Sequence, residues 1–357
     1  MEFVQEYGLF LAQAVTIVVA ILAVAAGGML LGNKQRPAGK GHIEIQDLNK
    51  RYEKIGEHLL DVIEDPEARK ANLKARKKAD KREAKAAKKT ARKGNAPAGD
   101  EKRRLYVLDF DGDLRAGDTS HLREEISALL PLAREGDQVL VRLESPGGLV
   151  HSYGLAASQL RRIRDAGIEL VVAVDNVAAS GGYMMACVAN RILAAPFAVI
   201  GSIGVIAQLP NFNRLLKKHD IDFELLTAGE YKRTLTLFGE NTDKGREKFS
   251  EELEHTHTLF KAHVSENRPD LDIARVATGE VWYGRRAIEI GLVDELQTSD
   301  SYIQGKLPDW HVYEIKYVQK KNWQEKLGLA AEGALESALL KLWQRGTCLL
   351  YTSPSPR

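Results

Sequence analysis

Two serines stand beside paired glycines in this 357-residue chain. One is in Ser145-Pro146-Gly147-Gly148, the other in Ala178-Ala179-Ser180-Gly181-Gly182-Tyr183. A serine hydroxyl becomes a nucleophile when a tight turn presents it and a base takes its proton. Ser180 follows the β-branched apolar run Ile168-Glu-Leu-Val-Val-Ala-Val174 and opens a stretch of helix-compatible residues, Tyr183-Met-Met-Ala186. A helix amino terminus at that point offers unpaired N–H groups and partial positive charge. Gly181 and Gly182 leave room for a substrate to lie against the backbone. The plainer reading of Ser180 is a helix N-cap. The strand–turn–helix context resembles a nucleophile elbow, although the spacing is not Gly-x-Ser-x-Gly. The Ser145 loop offers the other half of an acyl-transfer site, because N–H groups at a Gly-Gly turn can face a developing oxyanion. Pro-Gly is equally the chemistry of an ordinary turn.

A serine nucleophile needs a base, and the residues leave two candidates open. His151 lies near the glycine loop and Asp175 just before Ser180, so a histidine triad is conceivable. Lys232, in Thr227-Ala-Gly-Glu-Tyr-Lys-Arg-Thr234, is the alternative, and acts as a base only where burial lowers its pKa toward neutrality. His255, His257 and His263 read as solvent-exposed positions on a helix.

The elements that must position these groups alternate. Leu105-Tyr-Val-Leu-Asp-Phe110, Gln138-Val-Leu-Val-Arg-Leu143 and 168–174 are strand-like, and 122–132 and 150–164 have helical periodicity. Phe223-Glu-Leu-Leu226 is also strand-like. Strand–helix alternation predicts βαβ units and a parallel sheet, with active groups at the carboxyl ends of the strands.

Ahead of this domain the composition changes. No charged residue lies between Glu6 and Lys34, and residues 8–31 exceed the roughly 20 apolar residues that span a bilayer. Glu2 and Glu6 argue against a cleaved leader, whose amino end is basic. One membrane helix is expected within 1–33. Residues 42–65 read as an amphipathic helix. Residues 66–93 hold thirteen Lys/Arg against three acids, about +10 within a chain of net charge +2. With no apolar stripe and no interleaved aromatics, this is a solvated spacer or a contact for anionic lipid, not a nucleic-acid module. Gly94-Asn-Ala-Pro-Ala-Gly99 marks a boundary. The expected organisation is an anchor at 1–33, a spacer at 34–103, a catalytic domain at 104–300 and a carboxyl-terminal extension at 301–357. Cys187 and Cys348 have no metal-ligand spacing. The last residues, from Thr347, fit nothing before them and resemble vector-derived sequence.

At the glycine loops the chain resembles the signal peptide peptidase family, SppA-like proteases of the ClpP/crotonase fold. The resemblance rests on Ser145-Pro-Gly-Gly148, Ala178-Ala-Ser-Gly-Gly-Tyr183, Ile200-Gly-Ser-Ile-Gly-Val205, Gly229-Glu-Tyr-Lys232 and Gly291-Leu-Val-Asp-Glu295, in that order over 104–296. It implies an α/β fold with a parallel sheet behind one N-terminal transmembrane helix. It implies serine endopeptidase activity through an acyl-enzyme, with Ser180 as nucleophile and Lys232 as base. The oxyanion donors fall on Gly181 and on the Gly147/Gly148 turn. No metal or cofactor is implied. The implied partners are an apolar, signal-peptide-like peptide or protein substrate, the lipid bilayer and further copies of the chain in a ring, with a dyad that can cross between subunits. The implied place is the bacterial inner membrane, with the domain in the periplasm, whereas Lys34, Arg36 and Lys40 after the span favour the cytoplasm. No tandem copy of the domain is visible. An acyl-CoA enzyme of the shared fold would need an acidic residue, not a nucleophilic serine, at the active loops. A non-catalytic membrane scaffold is the other competing reading.

Overall fold

The computed structural model describes residues 41–63 and 102–319, with positions 78 and 82. The apolar run 8–31, most of the basic spacer and the residues after 319 lie outside the described residues. Among those described, no helix is long and apolar enough to cross a membrane. Residues 43–317 form one compact unit; the other grouping, 1–42 with 318–357, is described only at its edges.

In chain order the unit opens with β1 (His42–Asp47) and α1 (Leu48–Ile63), then β2 (Arg104–Asp111), α2 (Thr119–Leu129), β3 (Gln138–Glu144), α3 (Val150–Asp165) and β4 (Glu169–Val174). There follow β5 (Val177–Ala179), α4 (Gly181–Ala186), β6 (Arg191–Ala194), β7 (Val199–Gly201), α5 (Asn213–Lys218) and α6 (Asp243–Asn267). The described chain closes with α7 (Ile273–Val276), β8 (Val281–Tyr283), α8 (Gly284–Glu289), β9 (Glu295–Leu296), α9 (Ser299–Lys306) and β10 (His311–Val318).

A seven-stranded sheet runs β1-β10-β2-β3-β4-β6-β9, and every pair from β10 to β9 is parallel. The alternation of the strand side chains builds two layers. Leu105, Val107, Leu140 and Val171 face Leu48 of α1 and Tyr302 and Ile303 of α9. Leu108, Phe110, Val141 and Val172 face Leu122 and Ile126 of α2, Leu160 of α3 and Tyr183 of α4. Both faces are covered, which is why these strands read as continuous apolar runs. Full burial of one such leucine contributes about 1.5–3 kcal/mol. Register places Asp111 of β2 beside Glu144 of β3 at the carboxyl edge. A second sheet, β5-β7-β8, stands there, with β5 parallel and β8 antiparallel to β7.

The structure departs from the sequence reading in three places. Residues 42–47 form a strand, not the start of the amphipathic helix, because His42-Ile-Glu-Ile alternates with period two; helix begins only at Leu48. Phe223 to Leu226 form no strand: these side chains are exposed, so no sheet face rewards pairing there. The sheet also extends past residue 300, where the sequence reading ends the catalytic domain, since β10 pairs with β2 near the centre.

Candidate active site

Ser180 is the residue on which the second sheet turns into a helix. It adopts φ +52° and ψ −117°, a region that side-chain-bearing residues rarely occupy. Its backbone is held at both ends. Its N–H donates to Gly201 O at 2.8 Å, and its carbonyl accepts from Met184 N–H at 2.9 Å. The side chain caps nothing, although Ser180 stands at the N-cap position of α4. The hydroxyl is half-buried and has no hydrogen bond among the described residues. The backbone is thus strained, the main chain fixed, and the hydroxyl caps no helix N–H.

The Ser145 loop packs directly on this turn. Ser145 N–H donates to Val177 O at 2.8 Å, and Ser145 O accepts from Ala179 N–H at 3.0 Å, so β5 carries the loop as a short parallel bridge. Close approach demands glycine at several points. A β-carbon on Gly182 would stand 2.5 Å from Ser145 O, and one on Gly148 2.2 Å from Leu114 O. Gly147 N–H donates to Ser145 Oγ at 3.1 Å. Gly148 N–H and Gly181 N–H have no partner among the described residues. The two serine motifs, about 35 residues apart in sequence, thus form one site, with two unspent N–H donors at its glycines.

The histidine triad is not assembled. Asp175 accepts both the N–H (2.9 Å) and the hydroxyl (2.5 Å) of Ser299, at the start of α9, and His151 is exposed. Lys232 is also exposed, in the irregular stretch between α5 and α6, and its N–H donates to Gly229 O at 3.2 Å. Among the described residues no hydrogen bond joins its ammonium to Ser180. In the same irregular stretch, Phe223, Leu225, Leu226, Tyr231, Leu237 and Phe238 are all exposed apolar side chains. Of the three helix histidines read as exposed, only His255 is. His263 Nε2 lies 3.0 Å from Met184 O, where α6 packs on α4, and His257 Nε2 is buried without a hydrogen-bond partner among the described residues.

Two supports had no role in the sequence reading. Gly201, within the Ile200–Val205 motif, supplies the carbonyl that fixes Ser180, and Tyr153 of α3, which no motif marks, lies beneath both glycine loops. Tyr183, inside the Ser180 motif, donates to Leu292 O of the fifth motif at 2.9 Å, tying the two together in the core. Cys187 is wholly buried, and burial pushes its thiol up to about 12, so it packs as an apolar group. Among the described residues no cluster of His, Cys, Asp or Glu could hold a metal ion.

A covered parallel sheet thus carries a strained serine and a glycine-rich loop at its carboxyl edge. Residues 2–160 match Peptidase family S49 N-terminal and residues 162–307 match Peptidase family S49. The chain belongs to peptidase family S49 and is a protease of that family. It is similar to "Probable protease SohB" of Haemophilus influenzae, 53% identical over 339 residues and covering 95% of each chain. It is also similar to "Probable protease SohB" of Buchnera aphidicola subsp. Schlechtendalia chinensis, 47% identical over 305 residues, which are 85% of this chain and 99% of that one. Among solved structures it resembles a mutant of the 1510-N membrane-bound stomatin-specific protease in complex with a substrate peptide. That likeness has 13% identity and a TM-score of 0.39, over 64% of this chain and 96% of that one.

Proposed function

We propose that this chain is a membrane-anchored serine endopeptidase of the ClpP/crotonase type, with Ser180 as nucleophile and Lys232 as general base. The observation that carries the reading is the free Ser180 hydroxyl on a backbone held at φ +52° beside the unpaired Gly181 N–H. Ser180 Oγ attacks the scissile carbonyl and its proton passes to Lys232. The oxyanion is received by the N–H groups of Gly181 and Gly148, and its collapse breaks the peptide C–N bond as Lys232 returns the proton to the departing amine. Water, giving a proton to Lys232, then releases the acyl group as a carboxylic acid and restores the serine. Gly147 serves by conformation rather than by donation, since its N–H is spent on Ser145 Oγ.

A lysine base must be desolvated, and Lys232 is exposed in the single chain. The reading therefore includes assembly: further copies cover the apolar side chains around Lys232 and bury its ammonium. The uncharged run 8–31 anchors the assembly in the bacterial inner membrane, and apolar, signal-peptide-like segments are the substrate class.

Labelling of the purified full chain with a fluorophosphonate tests this. Wild type is expected to react, and Ser180→Ala and Lys232→Ala are expected not to. Label that survives Ser180→Ala refutes the nucleophile, and label that survives Lys232→Ala refutes the base. A folded, assembled wild type that takes no label supports a non-catalytic scaffold instead.

A further inference from the structure

The hydroxyls of Ser145 and Tyr153 form a chain whose proton direction the geometry fixes. Tyr153 Oη lies 2.7 Å from Asp113 O, a carbonyl that can only accept, so the phenol proton goes there. Ser145 Oγ lies 2.5 Å from Tyr153 Oη and must then be its donor, the other acceptor in reach, Gly112 O, standing at 3.5 Å. With its O–H directed to Tyr153, Ser145 Oγ accepts from Gly147 N–H at 3.1 Å. The order is Gly147 N–H to Ser145 Oγ–H to Tyr153 Oη–H to Asp113 carbonyl. Ser145 and the Tyr153 ring are fully buried. In that low-dielectric setting each bond polarises the next.

The chain ends on the two parts of the site that must stay in register. Gly147 lies over Ser180, where a β-carbon on it would be 2.7 Å from Ser180 Cβ and 2.8 Å from Gly181 N. The Tyr153 ring fills the space under Gly181, where a β-carbon would meet Cγ at 2.4 Å. One side chain thus supports Gly181 with its ring and, through Ser145, uses its hydroxyl to set the Pro146–Gly147 peptide, the one before the peptide that carries the Gly148 N–H. We infer that Tyr153 and Ser145 are positioning residues that hold the Gly148 N–H in register with the Gly181 N–H for the oxyanion. The inference rests on the Ser180 reading above. Neither hydroxyl reacts with substrate: their effect is on the turn.

Fluorophosphonate inactivation of the full chain separates rate from binding. In Tyr153→Phe, which keeps the ring under Gly181, and in Ser145→Ala, kinact is expected to fall about 10- to 100-fold, less than the roughly 100- to 1,000-fold that outright loss of an oxyanion donor produces, because the donor is misaligned and not removed. KI should stay within about twofold, because the ground-state probe does not use the hole. The double variant should be no slower than the worse single one, since the chain acts as a unit. Tyr302→Phe is the control: it removes another buried tyrosine hydroxyl, bonded to Gln138 Oε1 at 3.0 Å on the opposite face of the sheet, and should leave kinact alone. A kinact in Tyr153→Phe within twofold of wild type overturns the inference, as does a loss that multiplies in the double variant or that Tyr302→Phe matches. A wild type that takes no label removes the nucleophile reading and this inference together.

Discussion

Gly147 rests on Ser180 closely enough that any side chain at 147 would enter the turn at Ser180. Its φ of +93° is itself strained for other residues, and its missing β-carbon would stand 2.7 Å from Ser180 Cβ and 2.8 Å from Ala179 O. Gly147→Ala is therefore predicted to abolish fluorophosphonate labelling and to cost about 1–3 kcal/mol in denaturant unfolding. Gly154→Ala is the matched control. That glycine is inside α3, a β-carbon on it would meet nothing within 4 Å, and alanine should stabilise by roughly 0.5–1 kcal/mol with labelling intact. Equal labelling in the two variants would show that the contact does not govern the site.

The fifth motif acts through the core instead of the site. Tyr183 donates to Leu292 O, and two residues on, Asp294 accepts from Ile192 N–H at 2.7 Å and from both Arg268 terminal nitrogens at 2.7 and 2.8 Å. Burial pushes the Asp294 carboxyl up, but the Arg268 guanidinium and the Ile192 N–H outweigh it and hold it below the ordinary carboxylate range. A depressed acid contributes stability above its unfolded pKa, near 3.9, and loses it as pH falls through the folded value. Asp294→Asn should thus cost about 1–3 kcal/mol at neutral pH, and the gap to wild type should close on acidification below about pH 4. A gap that does not change with pH would mean that packing, not charge, is lost.

The parallel sheet and both glycine loops were legible because burial on two faces writes itself into β2, β3 and β4 as unbroken apolar runs, and because turns at φ above zero or in close contact call for glycine. Ser180 was legible as a candidate, but the capping and nucleophile readings share one residue type. Only the unbonded hydroxyl separates them. Tyr153 was hidden, since an apolar helix face wants an aromatic there whether or not its hydroxyl has work. The strand at 42–47 was mistaken for helix because two isoleucines in alternation are too short a signal against the helical run beginning at Leu48. Lys232 was legible by resemblance alone, as no local feature sets it apart from other exposed lysines.

Glu125 gives a pH dependence of the opposite sign. It is buried on α2; its Oε1 accepts from Tyr317 N–H at 2.8 Å, while Oε2 is buried with no hydrogen-bond partner among the described residues. Burial, aided by Asp109 and Asp118 and opposed by the Tyr317 N–H and Lys316, raises its pKa from 4.5 to about 7. The folded state then binds the extra proton between those values, so stability falls as pH rises from about 4.5 to about 7 and levels off beyond. Glu125→Gln keeps an acceptor for Tyr317 and removes the titration. Between about pH 5 and about pH 8, wild type should lose up to about 3 kcal/mol relative to this variant. Parallel pH profiles of thermal unfolding for the two proteins would refute the assignment.

Assembly can be tested apart from folding because the surface in question is exposed in the single chain. Leu226 is 91% exposed, so replacing it by a charge removes almost no intrachain contact and should change unfolding by less than about 0.5 kcal/mol. A glutamate placed in an apolar interface between copies would instead be desolvated without a partner, at a cost of several kcal/mol per contact. Leu226→Glu is therefore expected to shift the full chain toward smaller species in detergent by sedimentation velocity and to lower fluorophosphonate labelling in proportion, because fewer Lys232 side chains are buried. Smaller species with undiminished labelling would place the base within one chain. Unchanged assembly would move the interface elsewhere, and the desolvation of Lys232 would then need another source.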